Sequence, residues 1–106
     1  MRKQSLNALA VLFLLLANAD VLAKDTAKSL YQTKCAMCHG ADGKGDTPAG
    51  KAMKAHDFHS PEIIKMSDAE LIAITTEGKE RMPGYGSKLS APEIEALVAY
   101  IRTLQK

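Results

Sequence analysis

The chain has 106 residues, a net charge of +2, two cysteines, seven glycines and no tryptophan. That length holds one domain at most. The lysines are scattered among acids and glycines, with no basic run interleaved with aromatics, which argues against a nucleic-acid partner. Neither G-x-x-x-x-G-K-[ST] nor G-x-G-x-x-G occurs, which argues against a phosphate-binding enzyme.

The N-terminus reads as a targeting segment. Arg2 and Lys3 precede an unbroken apolar run from Ala8 to Ala17, and small residues follow at Val21-Leu22-Ala23. A run of this length falls short of the roughly 20 residues that span a bilayer. The pattern predicts a cleaved secretory signal peptide over residues 1–23 and one domain over 24–106, with no membrane span after cleavage. Ala17-Asn18-Ala19 offers an alternative cut, and an uncleaved anchor is the remaining option. Removing 23 of the 106 residues leaves 83, of which 33 are apolar and 11 of those are alanine. Such a thin core calls for a disulfide, a metal or another large staple.

A first helix is predicted from Thr26 to Ala36, with Ala27, Leu30, Tyr31 and Cys35 at helical spacing. His39 to Ser60, with its glycines and Pro48, reads as loop, and a short helical turn is predicted at Pro61 with Ser60 as its cap. Two later helices open on the same device. Met66-Ser67-Asp68-Ala69-Glu70-Leu71 and Leu89-Ser90-Ala91-Pro92-Glu93-Ile94 both spell a capping box flanked by an apolar staple. Gly78 is predicted to end the first of these in a left-handed cap. Leu97, Val98, Ile101 and Leu104 stripe one side of the second. No stretch alternates over a strand's length, so the fold class is small and all-α with long loops.

Cys35-Ala36-Met37-Cys38-His39 accounts for those loops. C-x-x-C-H in an exported chain reads as a covalent haem attachment site. On a helical turn the two thiols share one face and can meet two vinyl groups along a porphyrin edge. His39, four residues from Cys35, shares that face and can bind the iron. A thioredoxin-like pair would need a βαβ context, and zinc would need a second pair of ligands. A plain disulfide would leave the thin core unexplained.

The iron's sixth ligand has several candidates: Met37, Met53, Met66, Met82, His56 and His59, with lysines in principle. Met37 sits within the attachment turn and cannot reach the opposite haem face. Met66 serves as a staple to Leu71, and Met53 lies in a lysine-flanked stretch. Met82 sits in Arg81-Met82-Pro83-Gly84-Tyr85-Gly86. There Pro83 holds it out of helical conformation, and the glycines let the backbone pass close to a flat cofactor. Met82 is the preferred ligand; His56, His59 and an open site are the alternatives.

With these residues in place, the chain resembles a small class I (monohaem) cytochrome c, similar to short bacterial periplasmic c-553 and c6-type cytochromes. Cys35, Cys38 and His39 match the attachment motif, Met82-Pro83 matches the ligand loop, and Leu97 and Tyr100 match the C-terminal helix. The resemblance implies the class I cytochrome c fold, three main helices and loops around one covalent haem c. It implies that Ala27 and Tyr31 meet Leu97 and Tyr100 where the first and last helices cross. It also implies that the Pro48 carbonyl accepts from the His39 ring. The tryptophan that holds a haem propionate in mitochondrial members is missing, which leaves Lys51, Tyr85 or backbone N–H groups for that task.

The function so implied is a periplasmic one-electron carrier, a monomer and not an enzyme, that docks transiently on redox partner proteins. Lys34, Lys44, Lys51, Lys79, Arg81 and Lys88 are candidates for a positive rim. Two alternatives remain: a peroxidase-like or gas-binding haem protein with an open or labile sixth site, and an electron-feeding subunit of a larger oxidoreductase complex.

Overall fold

A computed structural model describes residues 24–106; the predicted signal peptide and both candidate cuts lie outside the described residues. Helix α1 runs through residues 24–34, with Ala27 and Tyr31 buried one turn apart and Leu30 half-buried beside them. Cys35 then forms a turn, and α2 (Ala36–His39) follows at once. The Cys35 amide donates to the Tyr31 carbonyl at 2.9 Å, so the two helices are nearly continuous. The predicted first helix is therefore split at Cys35. Gly40, at φ 81°, takes a conformation that suits glycine and ends α2.

A further helix, α3 (Pro48–Met53), lies where the glycines suggested only loop. Its start has a local cause. The Thr47 hydroxyl accepts from the Gly50 amide at 2.8 Å, and Pro48 occupies the first helical position, where it has no amide to lose. Helix α4 (Pro61–Lys65) begins at Pro61 as expected, although Ser60 makes no side-chain cap.

Helices α5 (Asp68–Glu77) and α6 (Ala91–Leu104) begin at the two predicted boxes. At α6 the box is complete: Glu93 N–H donates to the Ser90 hydroxyl and Ser90 N–H to the Glu93 carboxylate. At α5 it is half made, because the Ser67 hydroxyl, not its amide, donates to Glu70. Gly78 does end α5, but at φ 82° and ψ 166°, an extended conformation with positive φ and not the left-handed helical one. No strand occurs among the described residues, where the one isolated bridge pairs Lys79 with Met82.

The core forms where α1 meets α6. Tyr31 is fully buried, with ring centroids 5.1 Å from Tyr100 and 6.4 Å from Phe58. Leu97, Val98, Ile94 and Ile101 join it from α6, Leu71 from α5 and Ile63 from α4. Burying each such aliphatic side chain stabilises the fold by about 1.5–3 kcal/mol. The Tyr31 hydroxyl donates to the Gly40 carbonyl, which fixes the end of α2 to the core. Arg102 draws α6 onto the α4–α5 junction by donating to Asp68 at 2.9 Å and to the Met66 carbonyl.

Candidate cofactor-binding cleft

A cleft opens beside this core. Its interior has a cavity volume of about 200 Å³. Cys35, Cys38 and His39 line it together with Met82, and Phe58, Ile63, Leu71, Ile74, Leu97 and Ile101 supply apolar surface.

The attachment wall is made by α2 and α3. They lie so close that a Cβ built on Gly50 would overlap the Cys38 carbonyl oxygen. The Thr47 hydroxyl donates to the Met37 carbonyl at 2.6 Å, which ties the α3 cap to α2. Both cysteines are free thiols at intermediate exposure, and burial pushes the Cys35 thiol up to about 11, so it is held neutral.

Burial also lowers the His39 pKa, so the imidazole is neutral. Its Nδ1 lies 3.2 Å from the His56 carbonyl oxygen. A carbonyl only accepts, so Nδ1 carries the proton and Nε2 keeps the lone pair a metal needs. The expected acceptor was the Pro48 carbonyl. Pro48 stands at the first position of α3, where helical geometry directs its carbonyl along the helix axis. Phe58 stacks on the His39 ring, centroids 4.4 Å apart at 22°, and holds it from the other side.

Met82 is presented from a tight turn. Lys79 N–H donates to the Met82 carbonyl at 3.1 Å, and Met82 N–H donates to the Lys79 carbonyl at 2.9 Å. Glu80 within the turn has φ 55°, uncommon for a residue with a side chain. Beyond it the chain folds back on the end of α5, Tyr85 N–H donating to the Thr75 carbonyl and Gly86 N–H to that of Thr76. A Cβ on Gly84 would sit 2.7 Å from the Glu77 carbonyl group, so this return needs glycine. Two side chains tie the segment outward: Arg81 Nη1 donates to the Ala52 carbonyl at 2.9 Å, and the Tyr85 hydroxyl to the Lys34 carbonyl at 3.1 Å.

The other sulfur and imidazole candidates divide. Met53, Met66 and His56 also line the cleft. Met37 is 75% exposed and does not. His59 lies outside it, its Nδ1 2.8 Å from Asp57. The cations at the cleft are Lys34, Lys54, Lys79 and Arg81. Lys44, Lys51 and Lys88, expected at the rim, do not line it, and Lys51 pairs with Asp46 at 3.5 Å. Lys54, Phe58 and the His56 carbonyl are the residues that sequence reasoning missed.

Two unjoined thiols, a neutral imidazole with a free nitrogen and a broad apolar lining suit a flat macrocycle fixed by two thioethers and one axial nitrogen. Among the described residues no group of three or more His, Cys, Asp or Glu is placed to hold a metal ion.

Comparison with known proteins agrees. The family model described as "Cytochrome C oxidase, cbb3-type, subunit III" matches residues 23–101. Cytochrome c6 of Rippkaea orientalis is 32% identical over 93 residues, covering 86% of this chain and 81% of that one. The cbb3-type cytochrome c oxidase subunit FixP of Azorhizobium caulinodans is 29% identical over 89 residues, which are 83% of this chain but 29% of FixP. The solved structure of the KustC0563 c-type cytochrome superposes with a TM-score of 0.69 at 35% identity, covering 76% of this chain and 98% of that one.

Proposed function

Because the chain belongs to the c-type cytochromes, in the family described as cytochrome c oxidase, cbb3-type, subunit III, we propose that it is an exported carrier whose haem c is bound by Cys35 and Cys38 and ligated by His39 and Met82. The fold is the all-α class I cytochrome c fold, and the protein is a monohaem electron carrier with covalently bound haem c. The observation that carries the ligand assignment is the gathering of these four side chains in one apolar cleft.

Bound there, haem supplies one-electron exchange at its iron. The protein's own part is to hold and to exclude. Cys35 and Cys38 give two anchors three residues apart. The His56 carbonyl orients the His39 ring and raises its basicity as a ligand. With haem bound, Met82 would supply a thioether to the iron, which would favour the reduced state and close the site to small molecules, as suits a carrier rather than an enzyme. Lys34, Lys54, Lys79 and Arg81 outnumber Glu62 and Glu80 at the cleft, a positive balance suited to brief docking of an acidic redox partner on a monomer. The signal-like N-terminus supports export to the periplasm. No helix among the described residues is long and apolar enough to cross a membrane.

The ferric optical spectrum tests the ligand set. A low-spin spectrum with a weak long-wavelength sulfur-to-iron charge-transfer band is expected, and Met82→Ala abolishes the band and lowers the potential. A low-spin spectrum without the band moves the sixth position to His56 or another ligand; a high-spin one marks an open site and points to peroxide or gas chemistry. The family description and the FixP match favour a second reading, a subunit that feeds electrons within an oxidase. Purification from the native source separates them: a carrier is recovered alone, a subunit with its complex.

A further inference from the structure

We propose that Arg81 is a positioning residue that keeps Met82 on the iron by strapping the ligand turn to α3 across the mouth of the cleft. The inference rests on the Met82 ligation proposed above.

The strap has one end fixed on α3 and the other on the ligand turn. At the α3 end, Arg81 Nη1 donates to the Ala52 carbonyl at 2.9 Å, joining residues 29 apart in sequence. Ala52 lies in the last turn of α3, where carbonyls have no partner within the helix. The amides that follow are spent elsewhere: Lys54 N–H goes to Gly50 and Lys51, and Ala55 N–H to Gly50. That leaves the Ala52 carbonyl to a cation, which the negative end of a helix favours. Helix α3 is itself locked to α2 through Gly50 and Thr47. The Ala52 carbonyl is thus part of the wall that carries Cys35, Cys38 and His39.

The other end is the Lys79–Met82 turn. It closes on its own two hydrogen bonds and includes Glu80 at φ 55°. Arg81 adjoins Met82 directly, so the pull on its guanidinium bears on the backbone that places the thioether. Arg81, Met53 and Lys54 all line the cleft, so the bond bridges its two lips.

A small ligand that competes with Met82 binds only while the turn is open, and its apparent affinity scales with the open fraction. Loss of an exposed hydrogen bond of this kind raises that fraction about three- to tenfold. The test titrates imidazole into the haem-loaded ferric protein and follows the sulfur-to-iron band. Unmodified protein, Arg81→Ala, Arg81→Lys and Arg102→Ala are compared. Arg102, which ties α6 to Asp68, reports general loosening.

Arg81→Ala is expected to keep the band without imidazole and to bind imidazole about three- to tenfold more tightly. Arg81→Lys should return the affinity toward that of the unmodified protein, and Arg102→Ala should leave it unchanged. Equal affinity in Arg81→Ala and the unmodified protein, or an equal rise in Arg102→Ala, overturns the strap alone. Absence of the band from the unmodified protein overturns Met82 ligation and the strap with it.

Discussion

The wall that carries Cys35, Cys38 and His39 is knit together by contacts over short stretches, whereas the turn that carries Met82, bonded through its main chain to the end of α5, is tied across to that wall by two side chains that reach far across the sequence. On the first side Gly50 presses on the Cys38 carbonyl, Gly45 N–H donates to the His39 carbonyl at 2.8 Å, and Tyr31 grips Gly40. On the second, Arg81 and Tyr85 reach residues 29 and 51 positions away. Close-packed backbone has no soft alternative arrangement, while exposed side-chain bonds open at modest cost. Each wall is packed within itself, and the tie between the two is the part that side chains alone supply.

Substitutions on the two sides should therefore differ in kind. The largest effect is expected from Gly50→Ala, whose new methyl would overlap the Cys38 carbonyl oxygen. Separating α2 from α3 should cost about 3 kcal/mol or more in chemical denaturation, with poor haem incorporation. Near-normal stability after Gly50→Ala would show that this wall yields after all.

Tyr31→Phe should come next, at about 1.5 kcal/mol, because it removes a buried bond to the Gly40 carbonyl, which keeps only the longer 3.2 Å bond from Gly43 N–H. The same residue sets an alkaline limit. Burial, the main cause, raises the Tyr31 pKa well above its ordinary 10.0. Below pH 10 both folded and unfolded chains hold the proton and the contribution is complete. As pH climbs past that ordinary value the unfolded chain ionises first, binds fewer protons than the folded one, and stability falls. Denaturation midpoints across that range should drop less steeply in the Tyr31→Phe variant than in the unmodified protein.

Tyr85→Phe should be smallest, roughly 0.5–1.5 kcal/mol, since only an exposed bond to Lys34 is lost. Its signature should be a weaker sulfur-to-iron band on heating with α-helix content retained in circular dichroism. Concerted loss of both signals would mean that the ligand turn is no more independent than the attachment wall.

What could be read in advance follows the same division. Cys35-x-x-Cys38-His39 and the two Ser-x-x-Glu boxes are legible because each is made by residues within one turn of each other. Helix α3 was obscured by its glycine: Thr47-Pro48 is a proper start signal, but Gly50 is there to let α2 approach, not to break a helix. The Arg81 and Tyr85 tethers leave no local trace. Nor does the His56 carbonyl, because any residue offers a main-chain acceptor and only the folded path of residues 54–58 brings this one to His39. Lys51 was expected at the rim and Lys54 was not; the turn at Lys54, with φ 57°, puts only the latter on the cleft.

The Gln105 side chain donates to the Phe58 carbonyl at 3.0 Å, and Phe58 backs the His39 ring. This contact joins residues 47 positions apart, so it sets an order of assembly. A chain emerging N-terminus first delivers Cys35, Cys38 and His39 long before α6 and Gln105 exist to brace Phe58. The thiols are therefore accessible to chemistry on an unfinished wall, and the later arrival of the C-terminal helix closes it behind them.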